Sequence, residues 1–157
     1  MNYPIEIRKI DQKLEFYEEV IPLLKRSEDY LRSHSWCKRI DKGWLFNNTG
    51  FALCIFLFDV DTGNKDDGLT WVIVGDFPSM YTDTYSVPTT KDALEYYIEL
   101  ASDWIENVEN GLSIEENYPF KVSIQEEMVK LFKKKVNSLK TIILPAIDEL
   151  SYEIVLE

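Results

Sequence analysis

The apolar positions change period along the chain, and those changes divide it into elements. From Asp11 onward, Leu14, Tyr17, Ile21, Leu24 and Leu31 recur at intervals of three, four or seven, the spacing of a helix with one buried face. Pro22 falls inside that pattern, so it either kinks the helix or opens a second one as a first-turn residue. The preceding "YPIEIRKI", residues 3–10, forms either a short strand or a lead-in.

The helical period stops at "GWLFNNTGFALCIFLFDV", residues 43–60. Two aromatic-rich runs flank Asn47-Asn48-Thr49-Gly50, which supplies the positive-φ residues of a hairpin connection. The run 51–58 does not alternate between apolar and polar, which predicts a central strand buried on both faces. "LTWVIVGD", 69–76, reads as a third strand of an antiparallel meander, and 77–88 as an irregular segment after it.

Helical spacing then returns. "PTTKDALEYYIELASDWIENVENG" starts with Thr89 as N-cap, has Asp92 three residues on, and stops at Gly111. Leu94, Tyr97, Ile98, Ala101, Ile105 and Val108 form its apolar stripe, with Asp92, Glu95, Glu99, Asp103, Glu106 and Glu109 largely opposite. "SIQEEMVKLFKKKVNSLKTIILP" opens on a second capping box, Ser123 with Glu126. Its apolar positions Met128, Leu131, Phe132, Val136, Leu139, Ile142 and Ile143 run on to Pro145. The expected fold is α+β over a single domain, 1–157: an N-terminal helix, a three- or four-stranded antiparallel meander, and two long C-terminal helices packed on the sheet.

Composition adds the location of the charge. The net charge is −11. Residues 1–50 carry 9 basic and 8 acidic side chains, 51–120 carry 2 and 14, and 121–157 carry 6 and 6. The middle of the chain therefore supplies the whole imbalance. Such a surface repels nucleic-acid phosphates and anionic lipid and attracts a basic partner, although an acidic surface also serves solubility alone. The helix 90–110 has no basic residue after Lys91, so its acids repel one another at i, i+4. The N-terminal ten residues lack the apolar core of a secretory signal, and no run reaches the ~20 apolar residues of a membrane span. Two cysteines, Cys37 and Cys54, suggest no disulfide framework, which makes a reducing cytoplasm the expected compartment.

Candidate chemistry is sparse. "FDVDTGNKDDGLT", 58–70, has the density of aspartate that a calcium loop needs. Counted from Asp59, however, the fifth, sixth and twelfth positions are Gly63, Asn64 and Thr70, where an EF-hand requires an oxygen ligand, Gly and Glu. The stretch reads as a turn, with weak cation binding at Asp66 and Asp67 left open. His34 and Cys37 have zinc-ligand spacing, but the chain has no other His and one other Cys, in an apolar run, against the four ligands of a structural site. A nucleophilic hydrolase would have to use the same His34 and lacks a G-x-S-x-G elbow. No phosphate-binding, dinucleotide-binding or metalloprotease motif is present, so no cofactor and no catalytic residue is assigned. Lys133-Lys134-Lys135 reads as helix surface, with the stem of Lys135 near the buried edge.

The most suggestive cluster is "GDFPSMYTDTYSVP", 75–88, where Tyr81, Asp83 and Tyr85 follow Asp76. Interleaved tyrosines and aspartates suit a surface for a cationic partner; the structural alternative is that the tyrosines cover a sheet edge and Asp76 caps a turn. The sequence "WVIVGDFPSMY" resembles a group of small uncharacterised bacterial proteins, in which a Trp-containing strand runs into Gly-Asp-(Leu/Phe)-Pro-x-x-Tyr before an amphipathic helix. Here those positions are Trp71, Gly75, Asp76, Phe77, Pro78 and Tyr81. That resemblance implies no activity. In type, the chain is also similar to immunity proteins of bacterial polymorphic-toxin systems, which are small and often acidic and lack catalytic motifs.

The expected function is a non-enzymatic acidic module that binds and neutralises a basic protein, of immunity type. Its contact residues would be Asp76, Tyr81, Asp83, Tyr85, Glu95, Glu99, Asp103 and Glu106, with no nucleic acid, membrane, metal or cofactor involved. The alternative is a small ligand-binding domain or enzyme using carboxylates and tyrosines near Asp76 and Tyr81. Oligomeric state stays open.

Overall fold

The computed structural model describes residues 2–64 and 68–156. The chain is α+β, built on a five-stranded antiparallel sheet in which each strand pairs with its sequence neighbours. The strands are β1 (Ile5–Glu6), β2 (Arg39–Asn48), β3 (Cys54–Asp61), β4 (Leu69–Gly75) and β5 (Phe77–Asp83). The long helices are α1 (Tyr17–Arg32), α2 (Thr90–Glu109) and α3 (Glu126–Ser138).

β3 explains the absence of alternation in its sequence. Ile55 and Leu57 pack with Phe46, Trp71, Ile73, α2 and α3 on one face of the sheet. Cys54, Phe56, Phe58 and Val60 pack with Leu45, Val72, Val74 and α1 on the other. Both faces are buried, so every position of the strand is apolar until Asp59. Each fully buried large side chain contributes about 1.5–3 kcal/mol, which makes this strand the structural centre. The β2–β3 hairpin closes where the sequence places it: Thr49 N–H donates to the Leu53 carbonyl at 2.8 Å and Gly50 takes a φ of 59°.

Several expectations are corrected. Residues 77–83 are not irregular but form β5, an edge strand, so the sheet has five strands rather than three or four. Asp76 alone turns the chain between paired Gly75 and Phe77, its N–H held by the Phe51 carbonyl at 2.8 Å. Pro78 is tolerated because an edge strand leaves one side of its backbone outside the ladder. A Cβ on Gly75 would lie 2.3 Å from the Phe77 ring, which accounts for glycine at this turn.

α1 begins only at Tyr17, after Phe16 at a φ of 58°, and keeps Pro22 within it on an exposed side. Its buried face is Val20, Leu23, Ser27 and Leu31; Ile21 is exposed. Ser27 was invisible to an apolar count because its hydroxyl reaches back to the Leu23 carbonyl at 2.8 Å, satisfying itself inside the helix. α2 forms as its caps dictate, with Thr89 Oγ1 accepting from Asp92 N–H at 3.1 Å and Gly111 at a φ of 68°. α3 is shorter than its pattern. Ser123 accepts from Gln125 N–H instead of capping a helix, and after Ser138 the chain passes through a π-helical turn, Leu139–Ile143, and a 3-10 turn, Leu144–Ala146. Val129, Phe132, Val136 and Leu139 are buried, while Met128, Leu131 and Ile142 are exposed.

The chain then returns to the start of α2. Thr90, fully buried, donates its hydroxyl to the Asp148 carbonyl at 2.6 Å and accepts from Leu150 N–H at 3.0 Å. Tyr152 N–H donates to the Pro88 carbonyl at 3.0 Å, leading into a last 3-10 turn, Tyr152–Val155. Among the described residues no helix is long and apolar enough to cross a membrane.

Candidate functional site

At the exposed side of β5, aromatic side chains from four parts of the chain meet. The Tyr81 ring lies 4.8 Å from His34, 4.9 Å from Trp36 and 6.2 Å from Tyr118, centroid to centroid. Tyr30, from α1, packs edge-on against His34 at 5.1 Å and shares a hydrogen bond with the Tyr118 hydroxyl. Tyr81 N–H, on the open edge, donates to that same Tyr118 oxygen at 3.2 Å. The segment after α2 thus wraps the sheet edge with a side chain in place of another strand. Burial pushes the Tyr30 and Tyr118 hydroxyls above the usual tyrosine range, and Tyr97, whose hydroxyl donates to the Pro78 carbonyl at 2.7 Å, well above it.

Beside this cluster a cleft of about 860 Å³ opens at the end of the sheet that carries the β3–β4 connection. Trp36, Trp44, Tyr81, Tyr85, Tyr96, Tyr118 and Tyr152 line it, together with Asp59, Asp83 and Lys42. The size is that of a ligand cleft, ~300–1,000 Å³. Asp83 holds its own loop: Oδ1 accepts from Tyr85 N–H at 2.9 Å and from Ser86 N–H at 3.0 Å. Tyr85 beyond it is 78% exposed.

The eight residues expected to form one surface are divided. Tyr81, Asp83 and Tyr85 share the cleft, with Tyr81 on a strand rather than a loop. Glu95, Glu99, Asp103 and Glu106 are exposed along α2, the last two also lining a smaller cleft of about 470 Å³ with Glu115 and Glu116. Asp76 belongs to neither. It sits at the other end of β5, where Lys135 Nζ hydrogen-bonds its carbonyl and lies 3.9 Å from its carboxylate. The acids of α2 are also not wholly uncompensated, since Lys133 of α3 pairs with Glu109 at 3.1 Å. Two of the three consecutive lysines therefore hold acids of the chain itself.

Sequence reading missed Trp36, Trp44, Tyr96, Tyr118 and Tyr152. They come from separate elements with no common spacing, and only folding converges them. The positions of the Trp-Gly-Asp-Phe-Pro-Tyr pattern all have structural roles: Trp71 Nε1–H donates to the Val87 carbonyl at 2.7 Å inside the core, Gly75 and Asp76 make the turn, Phe77 packs on Tyr97 at 5.0 Å, and Pro78 and Tyr81 anchor the edge.

The candidate reactive groups are held in ordinary ways. The His34 ring donates from Nδ1 to the Tyr30 carbonyl at 2.9 Å and packs 5.2 Å from Trp36. Burial pushes the Cys54 thiol up to about 12 and raises Cys37 as well, the reverse of an activated thiolate. Between β3 and β4, Gly63, at a φ of 87°, donates its N–H to Asp61 Oδ1 at 2.9 Å; the turn reading otherwise falls on residues 65–67, Asp66 and Asp67 among them, which lie outside the described residues. Among the described residues no group of three or more His, Cys, Asp or Glu side chains is placed to hold a metal ion. No family model, no curated protein and no solved structure matches the chain, so its functional reading rests on this geometry alone.

Proposed function

We propose that the protein is a non-enzymatic binding module for a basic protein partner, acting in the manner of an immunity protein by occlusion. One observation carries this reading: Glu95, Glu99, Asp103 and Glu106 form an exposed row on α2, and none of them has an ion-pair partner among the described residues. A row of like charges at i, i+4 destabilises its own helix by a few tenths of a kcal/mol per pair. A basic partner would remove that repulsion, steered by the field of the acidic segment and anchored by the nearby tyrosines.

The test is affinity capture from host lysate with the wild-type chain and with the E95Q/E99Q/D103N variant, washed at low and then high salt. A stoichiometric basic protein retained by the wild type, released by salt and captured several-fold less by the variant supports the module. Equal retention by both chains overturns it.

The cleft favours a second reading, a small-ligand site. It cannot pair Asp76 with Tyr81, because five residues of extended chain separate them by roughly 15 Å. It would use Tyr81 with Asp83 and Asp59 instead, and a ligand would appear as a raised melting temperature in a compound panel.

A further inference from the structure

The cleft has its own chemical preference, and β3 supplies its centre. Asp59 is the first polar residue after five buried apolar ones, so its carboxylate stands on the α2 face just where the helices stop covering the sheet. The residue is half-buried, and its carboxylate makes no hydrogen bond or ion pair with the described residues. Lys42 is directly opposite it in the β2–β3 register, yet no contact within ion-pair distance joins them. Trp44, two residues along β2, pairs with Leu57 and so lies diagonal to Asp59 on the same face, roughly 7–8 Å away. A half-buried carboxylate diagonal to a tryptophan in one cleft, with Tyr96 and Tyr152 also lining it, is complementary to a flat cation.

Between the two common cations, the geometry selects one. Guanidinium is planar, weakly hydrated, stacks on aromatic faces and donates two parallel hydrogen bonds to a carboxylate; an ammonium is a strongly hydrated point charge that gives up more on entering such a cleft. Building on the reading of the chain as a binder of a basic protein, we infer that an arginine side chain of that partner docks here, its guanidinium over Trp44 and paired with Asp59. Asp83, at the cleft rim, adds a second negative charge, and its Oδ2 has no partner among the described residues. Lys42 is the one cationic side chain among the described lining residues and opposes the docking.

The experiment titrates the protein with hexa-arginine and hexa-lysine peptides at matched ionic strength, reading binding by calorimetry and tryptophan fluorescence. The arginine peptide binds several-fold tighter than the lysine peptide. Asp59→Asn weakens the arginine peptide by about tenfold, the scale of one charge-assisted hydrogen-bonded pair. Lys42→Gln, an exposed change on the same wall, tightens it by about two- to threefold. E95Q/E99Q/D103N weakens both peptides by a common factor, since it touches only the steering field. If the two peptides bind alike and neither Asp59→Asn nor Lys42→Gln alters the arginine titration, the arginine site is overturned, while a loss in the α2 variant leaves the basic-partner reading standing. If neither peptide binds, both fall together.

Discussion

Tyr118 does more than any other single residue to finish the sheet. Its hydroxyl satisfies the Tyr81 N–H on the open edge of β5 and bonds the Tyr30 hydroxyl of α1, joining residues 37 and 88 positions away. An unpaired edge invites another strand, and here one side-chain oxygen blunts it. Tyr118→Phe leaves a backbone donor and a phenol without partners in a half-buried place and is expected to cost about 1–3 kcal/mol. Tyr30→Phe leaves the edge bond intact and is expected to cost about 1 kcal/mol or less. Urea unfolding of the two variants separates them, and equal small losses would show that the edge bond contributes nothing. At this scale the sequence was legible where the interaction is local, as with Thr89 and Asp92 or Gly50 in its hairpin. Tyr118 carried no signal, because its partners are chosen by where the chain passes in space.

At the scale of elements, two consecutive threonines make the same contrast. Thr89 caps α2 through a bond to Asp92 three residues on, and the capping pattern announces it. Thr90 looks identical in sequence but clamps the returning tail through Asp148 and Leu150. Thr89→Ala is expected to cost about 1 kcal/mol, with the tail unaffected. Thr90→Val keeps the shape, removes both bonds, and is expected to cost about 1–3 kcal/mol. Amide hydrogen exchange distinguishes the two: Leu150 and Tyr152 lose protection in Thr90→Val only, and retained protection there would refute the clamp. β5 was missed for a related reason. Its sequence, interrupted by Pro78 and polar residues, has no strand period, and it becomes a strand because β4 offers it a ladder. The α1 stripe slid by one residue because the buried Ser27 satisfies its own hydroxyl and does not count as apolar.

For the whole molecule, the two-sided core sets the response to alkali. Tyr30, Tyr97, Tyr118 and Cys54 are all held protonated by burial to higher pH than in an unfolded chain, where tyrosine ionises near 10 and cysteine near 8.5. Above those values the unfolded state binds fewer protons than the folded one, so stability falls with rising pH; below about pH 8 the contribution is complete. The urea midpoint is therefore expected to hold up to about pH 8 and to fall steadily toward pH ~11. A midpoint flat across that range would mean that these hydroxyls are not desolvated.

The α+β class, the hairpin at Asn47–Gly50, the double burial of β3 and both ends of α2 were determined by the sequence alone, since each depends on neighbours within a few residues or on a strand's own composition. The acidic middle of the chain was equally plain, being a matter of counting. Which acids stay unpaired was decided only by the tertiary structure, because Lys133 and Lys135 reach Glu109 and Asp76 across 24 and 59 residues. The fifth strand, the tail clamp and the aromatic cleft around Asp59 belong to that second group. Their partners are brought together by the packing of two helical layers on one sheet, and no local pattern encodes a meeting of residues that the chain itself holds far apart.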